Sequence, residues 1–122
     1  MKVSKGPIYE KSFAFAVRIV KLARFLQEEK REYVLSKQVL RSGTAIGALV
    51  REAEHAESRS DFAHKMNIAL KEANETLYWL DLLRHVDYLT ADQFTSIHPE
   101  AEELVKLLVS IVNTSRERSD AK

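Results

Sequence analysis

Apolar residues recur along this chain at intervals of three and four, the spacing of helices that bury one stripe. After Gly6-Pro7, the residues Ile8, Phe15, Ile19, Leu22 and Leu26 form one row, and Tyr9, Phe13, Ala16, Val20 and Ala23 form a second beside it. At about 100° per residue the two rows cover roughly half of a helix surface, more than one bundle seam requires. The pattern predicts a helix over 8–28 that is buried on two sides, once inside its subunit and once against a neighbour. The charged stretch 27–32 reads as a connection. A second helix over 33–57 carries the seam Leu35, Val39, Ser42, Ile46, Leu49, Ala53 and Ala56. Ser60 is expected to cap a third helix over 61–86, whose seam is Phe62, Met66, Ala69, Ala73, Leu77, Leu80 and Leu83. Its second row, Ile68, Glu72, Glu75, Trp79, Leu82 and Val86, is mixed and suits a subunit interface. Interface candidates are therefore Tyr9, Phe13 and Val20 on the first helix, with Ile68, Trp79 and Leu82 on the third. Thr90 and Gln93 match a capping box ahead of a fourth helix over 91–115. Pro99 inside it predicts either a kink over 95–98 or a fresh start at the proline. The tail 116–122 is polar and expected to fray. Four helices on short connections, in a single domain spanning 1–122, predict an all-α, antiparallel up-down four-helix bundle.

The second helix holds the organising stretch, Leu40 to Ala53. Two glycines one turn apart in a helix interior each cost roughly 1 kcal/mol relative to alanine, which calls for a compensating contact. Ser42, Gly43, Gly47 and Ala48 are small enough to let another backbone approach. They are the expected helix-packing residues, at a contact where a larger side chain would overpack.

Composition narrows the classes. A hydrophobic content of 45% is too high for disorder, and there is no cysteine, which removes disulfides, thiolate nucleophiles and cysteine zinc sites. The start, Met1 to Pro7, lacks the apolar run of a signal peptide, and the apolar run Phe13 to Val17 is too short to span a bilayer. The expectation is a soluble cytoplasmic protein with no membrane partner. The net charge of +1 hides a split: residues 1–59 hold 12 Lys/Arg against 7 Asp/Glu, and residues 60–122 hold 7 against 11. Such a split either marks a basic face for an anionic partner or two halves that attract each other. Candidate nucleic-acid-binding residues are Lys11, Arg18, Lys21 and Arg24 on the first helix, with Lys37 and Arg41 on the second.

Catalytic patterns are sparse. Glu52 and His55 share the Glu-x-x-His spacing of di-iron bundles, and Asp61 with His64 is a looser relative. The first helix, however, offers only Glu10, Glu28 and Glu29 near its ends, so exposed polar side chains are the preferred reading. Histidines 55, 64, 85 and 98 are scattered, and neither a nucleophile elbow nor a phosphate-binding glycine loop is present. The segment Ser12 to Lys30 has the makings of a membrane-surface helix, but three further amphipathic helices are available to cover its apolar face. The expectation is a protein without enzymatic activity, metal or cofactor.

The stretch Leu40-Arg41-Ser42-Gly43-Thr44-Ala45-Ile46-Gly47-Ala48 with Glu52-Ala53 resembles the second-helix signature of a small four-helix-bundle family. Its members are encoded in intervening sequences of bacterial large-subunit rRNA genes, and its relatives include the accessory variability proteins of diversity-generating retroelements. Ser60-Asp61-Phe62, Ile68 to Ala73 and Glu75 to Leu80 extend the likeness through the third helix. Leu49 stands where the family usually has asparagine, so no role resting on that asparagine carries over. The resemblance implies a homopentameric ring and no enzyme activity. For the retroelement relatives it implies binding to nucleic acid and to a reverse transcriptase, with no fixed contact motif. Two functions are consistent with these residues: binding RNA or DNA through a basic surface repeated around a ring, or an adaptor ring that binds a protein partner.

Overall fold

Pro7 opens the first helix, where its missing N–H and fixed φ cost nothing. The computed structural model describes residues 6–120, with side chains as far as Glu117; Met1 to Lys5, the bulk of the stretch without a signal-peptide run, and residues 121–122 lie outside the described residues. Four α-helices succeed one another: α1 (Pro7–Glu28), α2 (Leu35–Ala53), α3 (Arg59–His85) and α4 (Ala91–Asp120). No strand occurs among the described residues, and no helix there is long and apolar enough to cross a membrane. One core runs through all four helices. It includes Phe15, Ile19 and Leu26 from α1, Val39, Ile46 and Val50 from α2, Met66, Leu80 and Leu83 from α3, and Leu104 and Leu108 from α4. Helices adjacent in the chain pack closely, whereas α1 and α4 touch much less.

The helix ends differ from expectation for local reasons. α2 begins at Leu35 instead of 33, because buried Glu32 takes up the first amides: Ser36 N donates to Glu32 Oε1 at 2.8 Å and Val34 N to Oε2 at 3.2 Å. At its other end the chain unwinds after Ala53 through bonds three residues apart, His55 N to Glu52 O and Ala56 N to Ala53 O, the tighter geometry common at helix termini. Ser58 caps α3 and Ser60 does not: Asp61 N donates to Ser58 Oγ at 3.0 Å, and Asp61 Oδ2 accepts from Glu57 N at 3.2 Å. The Thr90–Gln93 capping box forms in both directions, at 3.1 and 2.8 Å. α4 does not restart at Pro99 but passes through it, and it continues helical beyond 115 to Asp120.

The two glycines of α2 meet α1 unequally. A Cβ on Gly43 would lie 2.7 and 2.8 Å from the γ carbons of Ile19, which is fully buried. At Gly47 the nearest atoms are the Ser12 backbone, at 3.4 and 3.5 Å, an ordinary contact. Ser42 is buried and its hydroxyl lies 2.9 Å from that of Thr76 on α3, while Ala48 is exposed. Ser12, Ser36, Ser42 and Thr76 are all buried, and no buried side-chain polar atom among the described residues lacks a hydrogen bond. α3 ends in a Schellman closure, with Tyr88 N donating to Leu83 O at 2.9 Å and Asp87 left-handed at φ 66°.

Two stability measurements test this packing. Gly43→Ala should lower stability by about 1–3 kcal/mol, since Ile19 is β-branched, buried and slow to yield. Gly47→Ala should be neutral or stabilising by up to about 1 kcal/mol through helix propensity. Equal losses in chemical denaturation would mean that both positions are closed. Asp87→Gly should raise stability by about 0.5–1 kcal/mol by relieving the left-handed residue; a drop in the melting temperature would contradict that reading.

Candidate interaction surfaces

A helix carrying cations on its outer arc meets whatever its neighbours present, and here two of α1's basic residues meet acid. Lys11 pairs with Glu103 of α4 at 2.6 Å. Arg18 pairs with Glu100 and donates to Ser96 O and Ser96 Oγ, both at 2.9 Å. Pro99 supplies no N–H to the carbonyl of Thr95 four residues back, so Arg18 engages α4 on the turn that the proline weakens. On α2, Arg41 bridges Glu72 at 3.1 Å and Glu75 on α3. Half of the predicted basic surface is thus neutralised inside the subunit. Lys21, Arg24 and Lys37 are exposed and form no ion pair among the described residues.

Arg41 belongs to a network. Trp79 Nε1 donates to Glu75 Oε2 at 2.8 Å, and the Trp79 ring meets Tyr78 edge-on at 5.0 Å. The Trp79 indole N–H, followed by the Arg41 guanidinium, holds the Glu75 carboxyl below the usual carboxylate range. The hydrogen bond to Glu75 raises Arg41 in turn. Glu72 and Glu75, which made the second row of α3 look mixed, are therefore acceptors for α2. Ile68, Trp79 and Leu82 on that row are half-buried.

The apolar row of α1 is more open. Phe13 is 54% exposed, Val17 40% and Val20 37%, while Tyr9 is half-buried. Arg51 of α2 lies over Tyr9 and Phe13, its guanidinium carbon 4.9 and 5.2 Å from the ring centroids. Beside them Phe13, Ala16, Thr44, Gly47 and Ala48 line a hollow of about 260 Å³. A second hollow of about 440 Å³ lies between α1 and the start of α4, lined by Leu22, Phe25, Leu89 and Ile97 together with Lys21 and Asp92. Among the described residues no three of His, Asp and Glu gather as metal ligands, so Glu52–His55 and Asp61–His64 do not converge. His98, one of the four scattered histidines, lies 3.4 Å from Asp81 of α3 and 3.2 Å from Glu102 and stacks on Phe94, partners that its spacing in the sequence did not reveal.

Comparison with known proteins places this arrangement. The model of the 23S rRNA-intervening sequence proteins matches residues 5–110. The chain belongs to that family. It is also similar to a protein of unknown function from the S23 ribosomal protein family of Bacteroides thetaiotaomicron VPI-5482, with a TM-score of 0.85 and 57% sequence identity over 87% of this chain and 95% of that one. No curated protein matches. Leu49 is half-buried and packs against the core.

The Glu75 network sets a pH dependence. Because the folded carboxyl titrates below its unfolded value, its contribution is present at neutral pH and is lost as pH falls through the folded value. Both partners are partly exposed, so the contribution should be about 0.5 kcal/mol. Glu75→Gln should be less stable than wild type at pH 7, and the gap should close only below the ordinary carboxylate range. A gap that is constant down to acid unfolding would show that the charge of Glu75 is not what stabilises.

Proposed function

We propose that this family member is a non-enzymatic, cytoplasmic scaffold: an antiparallel up-down four-helix bundle that assembles into a homopentameric ring and binds RNA or DNA through repeated basic surfaces. The antiparallel order is supported by register. Lys11 meets Glu103 while Arg18 meets Ser96, and Ser42 meets Thr76 while Glu52 meets Lys65, so numbers rise on one helix as they fall on its neighbour. The observation that carries the assembly is the exposed row Phe13, Val17 and Val20. Large side chains left open in a contiguous apolar row mark an interaction site. Tyr9 beside it, and Ile68, Trp79 and Leu82 on α3, complete the proposed interfaces. For nucleic acid the support is Lys21, Arg24 and Lys37, which are exposed, form no ion pair among the described residues and would be multiplied around a ring. The resemblance to accessory variability proteins of diversity-generating retroelements favours the same reading. The internal pairing of Lys11, Arg18 and Arg41 favours the alternative, an adaptor ring for a protein partner.

Light scattering on wild type should give a mass near five subunits, and Phe13→Glu with Val20→Glu should give a helical monomer. A wild-type monomer would refute the ring. Affinity for a structured RNA and a duplex DNA should fall linearly in log salt, with a slope near −0.9 per phosphate contact on duplex DNA. Lys21→Glu with Arg24→Glu should abolish most of it, and Lys11→Glu much less. Binding that ignores the Lys21 and Arg24 reversal would remove this surface from consideration, and no binding at low salt would leave the adaptor.

A further inference from the structure

Among the exposed cations, five lie within one helix–turn–helix. Lys21 and Arg24 sit on the last two turns of α1, Lys30 and Arg31 in the connection, and Lys37 in the first turn of α2; all are exposed and none forms an ion pair among the described residues. The segment also holds Glu28, Glu29 and Glu32. The Glu32 carboxylate is turned inward, accepting from the amides of Val34 and Ser36, so only Glu28 and Glu29 oppose five cations at the surface. Asp92 shares the neighbouring hollow with Lys21.

Two further features belong to the same tip. Tyr33 is 51% exposed and Val34 70%, although apolar surface at a loop normally folds under. Arg31 holds a left-handed φ of 54°, where the chain closes α1 with Glu32 N donating to Leu26 O at 2.9 Å. Glycine would serve that closure at lower cost. Arginine there adds a guanidinium two residues before the open tyrosine. A cationic track beside an exposed aromatic ring is the arrangement that holds unpaired bases, with phosphates on the cations and a base stacked on the ring. A duplex keeps its bases stacked on each other and would use only the charges.

We infer that the α1–α2 tip, Lys21, Arg24, Lys30, Arg31, Tyr33 and Lys37, is a binding site for single-stranded nucleic acid, with Tyr33 as its stacking platform. This rests on the proposed nucleic-acid function and narrows it to a strand state and a place.

The test is fluorescence anisotropy of the full chain with oligouridine, oligothymidine and a duplex of equal length, at one fixed salt concentration. Both single strands should bind more tightly than the duplex. Tyr33→Ala should weaken them about tenfold and change the duplex by less than about twofold, while Tyr33→Phe should retain wild-type binding. The uridine and thymidine arms compare RNA with DNA, and oligodeoxyuridine, which lacks both the 2′-hydroxyl and the thymine methyl, assigns any difference between them to the sugar or the base. Thermal melting of Tyr33→Ala should match wild type, since the ring lies outside the core. Equal affinity for duplex and single strands, or an unaffected Tyr33→Ala, would overturn the tip as a single-strand site and leave the broader nucleic-acid function standing. No binding to any of the three would overturn both.

Discussion

The close approach of α1 and α2 governs the placement of the other helices. Gly43 has no Cβ, so Ile19 fills the space where one would be; Gly47 lies against the Ser12 backbone. With α1 fixed on that side, Ser42, about 100° round the helix from Gly43, faces α3, where its hydroxyl meets that of Thr76. Arg41, one residue earlier, then reaches Glu72 and Glu75. A single run of small residues thus fixes two helix registers. α4 is held mainly by α3 and meets α1 only lightly, which leaves the α1–α4 seam to Lys11, Arg18 and their carboxylates.

That division explains where the uneven charge of the chain goes. The basic first half and the acidic second half meet at Lys11–Glu103, Arg18–Glu100 and Arg41–Glu72/Glu75. Such partly exposed pairs contribute about 0–1 kcal/mol each, so they orient the seams more than they hold them. Their larger effect is subtractive. A cation counted on a helical wheel is available to a partner only if no neighbouring helix supplies a carboxylate, and for Lys11, Arg18 and Arg41 one does.

Helix number, order and core were legible because they depend on local period. The capping box at Thr90 was legible because both partners lie within four residues. What escaped depended on choices between close alternatives or on distant neighbours. Ser58 and Ser60 are equally good caps by residue type, and Asp61, reaching back to Glu57, favours the earlier one. Glu32 looked like one more loop charge until two amides closed on it. Pro99 allowed a restart by rule, yet apolar residues on both sides of it, Ile97 and Ala101, are buried on α4 and keep the helix in register. Gly43 and Gly47 were indistinguishable by spacing, and only the branched side chain of Ile19 separates them. At the candidate site, the residue types were readable but their occupancy was not, because pairing with Glu72, Glu100 and Glu103 joins positions more than thirty residues apart.

The same internal pairing suits α2 to an interface. Its outer residues Thr44, Gly47 and Ala48 are small and line a hollow with Phe13 and Arg51, and Arg41 on the same helix joins Glu75 and Trp79 of α3. The two apolar rows assigned to subunit contacts therefore flank one helix. Burying an unpaired arginine there would carry the full desolvation penalty of a charge. Arg41 enters such a contact already hydrogen-bonded to two carboxylates, one of them also held by an indole, and Arg51 enters it lying over two aromatic rings. Interface cores favour arginine and aromatic residues and exclude free charge. The pairing that takes Arg41 off a nucleic-acid surface is what fits it to a protein one. This leaves the α1–α2 tip, whose five exposed cations form no ion pair among the described residues, as the surface proposed for phosphate.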